Sequence, residues 1–407
     1  MRKRIRYIII SFILLISFSS FGQVNEMVYE NPNIDSLENK KLYLVIDNLN
    51  FFKNNEFSSV KTRGYTLPGF RINPKLSLVL DNNILIEAGI SLVKYWGANT
   101  YPCYSYMDIP AWNSNDYQKG FHSLPYFRAQ IMLKENLNLV FGNLYINNSH
   151  NLIYPLYNPE LNLSSDPEAG VQLLYDNKYF ESDLWINWQS FMFKTDTHKE
   201  VFTFGYSTKT NIINPDNKLQ IYAPIQFLAQ HRGGELDNLS YDLQQTWSNY
   251  SAGLGFNYKI NKLVEYLNFE LSYAGFMENG GSNSLYKKGY GVYSKLGIGG
   301  KGLHLDVSYW ACKGFMSIFG SDNFINISTS TENMIFNKIK LIYAHLEYLY
   351  KEKPNYSLGL EFNIISYFPF TGYRTLYKPI ISNGFSEFSF GLYLKLNPKF
   401  KLYSFKD

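Results

Sequence analysis

Six histidines stand in the chain, at positions 122, 150, 198, 231, 304 and 345, and no two share a metal-ligand spacing such as His-x3-His. A nucleophile elbow of the Gly-x-Ser-x-Gly kind and a phosphate-binding loop are missing from the sequence. His345 and Glu347, two residues apart, share one face of an extended segment, where a serine from a neighbouring element would complete a hydrolytic set. Two polar residues at that spacing are the ordinary state of a hydrated strand face, and that reading is preferred. Asp183, Trp185 and Asn187 offer an acceptor, a flat apolar platform and an amide on one face, a combination suited to sugars. His231 and Arg232 precede Gly233-Gly234-Glu235, where two glycines permit a tight turn that would fold the arginine over an opening. None of these sets is a complete catalytic constellation. The expectation is a protein that is not an enzyme, with no metal site and no cofactor.

The elements that must position these groups are strands. From residue 42 onward the pattern alternates with period two, which sends successive side chains to opposite faces. Between Tyr179 and Gln189, Glu181, Asp183, Trp185 and Asn187 fall on one face, while Phe180, Leu184, Ile186 and Trp188 fall on the other. Near the C-terminus Phe388, Phe390, Leu392, Leu394 and Leu396 alternate with Ser389, Gly391, Tyr393 and Lys395. Short breaks, as at Asp81-Asn82-Asn83 and Gly300-Lys301, alternate with long polar stretches such as 97–124, 147–168, 231–246 and 313–336. That rhythm predicts strands at 42–52, 66–81, 84–96, 125–134, 137–146, 169–176, 179–190, 200–209, 218–230, 247–259, 264–277, 287–299, 302–312, 337–350, 356–368 and 384–396. The fold class is then all-β: a transmembrane antiparallel up-and-down barrel of about 16 strands, with short periplasmic turns and long extracellular loops. Pro68, Pro74 and Pro224 fall inside these strands and weaken them locally.

Composition agrees. Of 407 residues 18% are aromatic, with 35 Tyr and 31 Phe, and only 18% are charged. The lone apolar run that approaches the length of a spanning helix lies at the N-terminus, behind Arg2, Lys3, Arg4 and Arg6. Residues 1–22 read as a signal peptide cut before Gln23. Its removal lowers the 38 basic residues to 34, matching the 34 acidic ones, so a basic nucleic-acid binder is excluded. Two cysteines far apart exclude a disulfide scaffold. Residues 23–41 form a short periplasmic segment, 42–396 the barrel and 397–407 a C-terminal tail.

The signal junction Ser20-Phe21-Gly22-Gln23, the Tyr-rich 16-strand pattern and the closing strand rich in Phe and Leu resemble the porin-like outer-membrane proteins of Bacteroidetes. The ending Tyr403-Ser404-Phe405-Lys406-Asp407 departs from the terminal aromatic of many barrels. The resemblance implies the outer membrane of a Gram-negative cell and leaves the substrate open. The function expected is passive transport of small polar solutes, sugars among them, past pore-lining Arg71, Arg128, Glu181, Asp183, Trp185, Asn187, Asp306, His345, Glu347 and Glu361, with His231 and Arg232 in a loop. Basic groups on the early strands and acidic groups on the later ones would set up a field across such a pore. Two rivals are a barrel for polysaccharide or lipid export and a structural or adhesive protein whose loops close the pore. The partners expected are membrane lipid and small polar solutes; association with further copies of the chain stays open.

Overall fold

The computed structural model describes residues 27–96, 122–191, 199–233, 244–280, 285–353, 355–374 and 379–405. The signal peptide and its cleavage point, and His198, lie outside the described residues.

Sixteen strands form the wall. The first eight are β1 (Lys41–Ser58), β2 (Arg63–Leu80), β3 (Ile84–Tyr95), β4 (His122–Lys134), β5 (Leu137–Asn143), β6 (Ala169–Asp176), β7 (Phe180–Ser190) and β8 (Val201–Asn211). There follow β9 (Leu219–Arg232), β10 (Gln245–Lys259), β11 (Tyr266–Asn279), β12 (Lys288–Gly300) and β13 (Leu303–Lys313). After a short external strand β14 (Met334–Phe336) the wall resumes with β15 (Lys338–Lys353) and β16 (Tyr356–Tyr367). Two more external strands, β17 (Phe370–Arg374) and β18 (Ile380–Ser382), precede the last stave, β19 (Phe385–Leu396). Each stave pairs antiparallel with the next, and β19 returns to β1 in the register Asn48↔Leu396 to Glu56↔Phe388. The sheet is closed, so no stave is left with an open edge to face lipid.

The alternation read from the sequence is the alternation of the wall. Along β19, Phe388, Phe390, Leu392 and Leu394 are exposed outward while Glu387, Ser389, Gly391, Tyr393 and Lys395 are buried inward. An apolar exterior over a closed barrel is what a bilayer selects, and the chain is an outer-membrane β-barrel. All 16 expected staves are present; β1 and β2 run to 18 residues each, joined by only four. Pro74 and Pro224 stay in their strands because the ladder lapses beside them: β2–β3 pairing skips from Ile72 to Lys75, and β9–β10 pairing from Tyr222 to Ile225. At the periplasmic end Lys301 and Gly302, both at positive φ, make a two-residue hairpin turn. Beyond Leu396 the chain is not only a tail. Strand β20 (Lys399–Ser404) pairs with the start of β1 from Lys41 to Val45.

The lumen is occupied. From the periplasmic side, residues 27–38 enter with Met27 buried, and Glu30 reaches Arg128 (2.7 Å) and Lys75 (3.0 Å). Residues 144–168 fold inward and bury Leu156, Tyr157, Leu161 and Leu163. Residues 314–337 close the outer end, where Phe315, Phe319 and Phe324 join the inward-facing Trp310, Leu341 and Tyr367 in an apolar core. Lys61, in the β1–β2 turn, ties this plug down by donating to the Ile327 carbonyl at 2.7 Å and to that of Asp322. Burial pushes its ammonium down to about 8, against the pull of the Asp322 carboxylate.

Candidate functional site

Among the described residues the fold builds three histidine–carboxylate pairs, which differ in what they leave a proton to do. The deepest is His150, on the inward segment. Ser149, His150 and Asn151 all sit in the left-handed region, at φ 53°, 55° and 56°. Such a run costs roughly 1–2 kcal/mol per residue, and hydrogen bonds to the wall hold it in place. Asn151 Nδ2 donates to Glu181 at 2.8 Å, and Gln226 Nε2 donates to the Asn151 carbonyl at 2.9 Å. The fully buried His150 ring places Nδ1 2.7 Å from Asp183 and Nε2 3.4 Å from Glu168. It lies flat on Trp185, with ring centroids 3.9 Å apart. The face that Trp185 was expected to offer a sugar is therefore covered by the protein's own imidazole. Asn187, third of that set, accepts from the Ala169 amide at 3.2 Å and helps to start β6.

The second pair is His345–Glu347 on β15. His345 Nε2 lies 2.6 Å from Glu347, and Nδ1 donates to Asn363 Oδ1 at 2.5 Å. A neighbouring serine does arrive, as the sequence allowed, but Ser389 accepts from Asn363 Nδ2 rather than meeting the histidine. A ring that donates from both nitrogens has no lone pair left to take up a proton. Glu361 beside it receives Lys53 at 2.8 Å and the Tyr393 hydroxyl at 2.8 Å.

The third pair, His122 with Asp166, was not singled out from the sequence. His122 is the first residue of β4 and faces inward at the extracellular end, opposite Val93 of β3. Its Nδ1 is 2.6 Å from Asp166 Oδ1, and the side chains are 25% and 19% exposed, against 0% for His150. Asp166 follows a segment that is pinned twice: Ser165 Oγ donates to the Leu161 carbonyl, and Arg71 donates to the carbonyl of Ser165. With Nδ1 engaged by the carboxylate, the basic lone pair of the imidazole belongs to Nε2, the tautomer that general-base catalysis requires. Trp96, half exposed and 6.3 Å from Phe70 in ring-centroid distance, marks the outer membrane interface on the adjacent strands.

The remaining expected groups have mostly structural duties. Arg128 is stacked 3.7 Å over the Tyr145 ring and bonded to Glu30, Glu87 and two carbonyls. Arg71, Lys75 and Arg128 do face the lumen, and Glu30 and Glu87 pair with Lys75 and Arg128 on the spot. His231 and Arg232, expected in a loop, are instead the last two residues of β9, paired with Thr246 and Gln245. Arg232 turns inward over Trp247, because the strand outlasts its apolar pattern by two residues. Asp306 faces inward from β13. Among the described residues no cluster of three or more His, Cys, Asp or Glu groups is arranged to hold a metal ion.

Fold and geometry thus define a closed outer-membrane barrel with its lumen filled and a histidine–carboxylate pair at its outer rim. The chain belongs to the lipid A 3'-O-deacylase-type family, whose model matches residues 34–405. That family is one of enzymes, which overturns the expectation of a protein without catalysis. A catalytic set spread over separate elements leaves no local motif in one sequence. No curated protein matches the chain. Similar solved structures include the anion-selective porin from Comamonas acidovorans, at 9% identity and a TM-score of 0.45, over 88% of this chain and 98% of that one. A BenF-like porin from Pseudomonas fluorescens Pf-5 gives 10% and 0.45 over 89% and 100%, and OccAB4 of Acinetobacter baumannii gives 12% and 0.43 over 91% and 100%. Likeness at this level carries no argument about function; the barrel assignment rests on the strand pairing.

Proposed function

We propose that the protein hydrolyses an acyl ester of a membrane lipid, the 3'-linked chain of lipid A, at the outer rim of the barrel. The observation that carries this reading is the partly exposed His122–Asp166 pair at the membrane's external edge. A lipid substrate keeps its chains in the bilayer and its ester groups near the interface, so it meets the rim and not the packed lumen. His122 Nε2 removes a proton from a water molecule as the water attacks the ester carbonyl. The tetrahedral intermediate then expels the sugar oxygen, which recovers the proton from His122; one fatty acid and one free hydroxyl result. Asp166 holds the ring and stabilises the imidazolium formed midway.

The test is release of fatty acid from lipid A by the purified, folded barrel, followed by mass spectrometry. Loss of release in His122→Gln and Asp166→Asn, with folding intact, supports the reading. Unchanged release in both removes it. Passage of small polar solutes is a second reading, supported by the polar inner half of the wall, and a bilayer conductance measurement decides it.

A further inference from the structure

Between the inward segment and strands β7 to β13 lies a cavity of about 320 Å³. Its wall carries three carboxylates, Glu181, Glu270 and Asp306, and two ammonium groups, Lys209 and Lys295, an excess of one negative charge. Three of the five are occupied, while Lys295, like Asp306, makes no hydrogen bond or ion pair among the described residues. Glu181 receives Asn151, Glu270 receives the hydroxyls of Tyr222 (3.2 Å) and Ser272 (3.0 Å), and Lys209 rests over the Tyr222 ring.

Asp306 differs. It is 5% exposed, and its carboxylate makes no hydrogen bond or ion pair among the described residues. Its two cross-strand neighbours explain why. On one side stands His345, with both ring nitrogens committed to Glu347 and Asn363. On the other stands Gly297, which has no side chain to offer. Beyond Gly297 comes Asn268, whose Oδ1 is also buried and unpartnered. A Cβ added at Gly297 would fall 2.2 Å from Asp306 Oδ1 and 2.2 Å from Asn268 Oδ1, so both acceptors flank one small space. The buried Asn268 oxygen without a donor is costly to maintain, and the Asp306 carboxylate beside it faces the cavity without a partner.

We propose that this cavity binds a small hydroxylated amine of monosaccharide size, with its ammonium group between Asp306 and Asn268. An ammonium brings three donors and one positive charge, which answers both orphan acceptors and the wall's excess charge. The Tyr154 and Tyr222 side chains at the cavity wall supply flat apolar surface for the C–H faces of a sugar ring. The inference is independent of the rim chemistry, since none of these residues belongs to the His122 pair.

Glucosamine is the probe, and glucose, equal in shape but without the charge, is the control. The full barrel is refolded in detergent in the presence of each, so that the inward segment closes over the ligand, and retained sugar is measured after gel filtration. Glucosamine should be retained and glucose should not. Asp306→Asn, which keeps shape and removes charge, should weaken glucosamine on the order of tenfold or more while heat-modifiable mobility stays that of the folded barrel. Equal retention of both sugars, or an undiminished signal in Asp306→Asn, overturns the proposal. So does the absence of any glucosamine binding, which would mean that the Asn268 amide is turned to donate to Asp306 and the space is closed. Should Asp306→Asn fail to fold, Gly297→Ala, which intrudes on the same space, must abolish retention, and its failure to do so overturns the proposal as well.

Discussion

The outer rim and the middle of the lumen hold the same pair of residue types in different surroundings. His122 and Asp166 meet at 2.6 Å where both are partly open, and only one ring nitrogen is assigned to the carboxylate. His150 and His345 meet their carboxylates at nearly the same distance, 2.7 and 2.6 Å, but each has its second nitrogen directed at another acceptor. Distance alone therefore does not distinguish a base from a structural cation. What separates them is whether a substrate can approach the ring. The buried rings join elements of the fold, His150 the inward segment to β7 and His345 β15 to β16; the partly open ring at the rim leaves room for a substrate.

The largest effect expected from this contrast is on catalysis. His122→Gln should lower ester hydrolysis by roughly 10²–10⁴-fold, the usual contribution of a positioned base, with normal folding on gels. His345→Gln should leave hydrolysis by the folded fraction within a few-fold of the parent. If the two variants lose activity equally while folded, the rim has no special role.

Stability should show the reverse order. His150→Leu strands Asp183 and Glu168, buried at 9% and 7% side-chain exposure, without their shared cation. Removing one partner of a buried pair costs about 3–5 kcal/mol, partly offset here because Gln172 still donates to Asp183 at 2.8 Å. His122→Gln, at an open pair, should cost about 0–1 kcal/mol. Urea unfolding followed by heat-modifiable mobility compares them; a rim variant as unstable as the lumen variant would erase the distinction.

A smaller change probes the wall from outside. Ile186 is exposed toward lipid and Asn187, next to it, is buried at 4%. Ile186→Arg should destabilise insertion by about 2–4 kcal/mol near the midplane. It should do so without altering hydrolysis by the molecules that do fold. A fully stable Ile186→Arg barrel would place that face away from lipid.

Which parts of this were legible in the sequence follows from how far each signal travels. Period-two alternation is local, so all 16 staves and the inward face of Glu181, Asp183, Trp185 and Asn187 could be read directly. The ends were less legible: β9 continues through His231 and Arg232 because pairing with β10 persists where the apolar pattern stops. The contents of the lumen were not legible at all. Whether residues 144–168 turn in or out depends on partners such as Asp183, Gln226 and Arg71, which lie on three other strands. The expectation of an open channel rested on strand number, which sets the width of a barrel and says nothing of what fills it. The rim pair was invisible for the same reason, since closure of the β5–β6 connection against β4 is what brings Asp166 to His122.

The smallest effect expected concerns the periplasmic end, where charge holds the filling in place. Glu30 joins three parts: its carboxylate meets Arg128 and Lys75, its amide donates to Asn147 Oδ1 at 2.9 Å, and its carbonyl accepts from Asn147 Nδ2 at 2.7 Å. It thus fastens the N-terminal segment both to the wall and to the start of the inward segment. Glu30→Gln removes the charge but keeps the backbone pair with Asn147. Arg128 and Lys75 also keep Glu87, each at 3.1 Å, so neither cation is left alone. The loss should be about 1 kcal/mol, near the value of a single hydrogen bond, and barely visible in urea unfolding. Conductance is the finer readout, because a rare opening of the inner end passes ions even when the population shift is small. Planar bilayers should show more frequent brief openings for Glu30→Gln than for the parent, and hydrolysis at the rim should not change. If Glu30→Gln instead reduces hydrolysis, the two ends of the barrel are coupled, and the separation between a reactive rim and a structural lumen no longer holds.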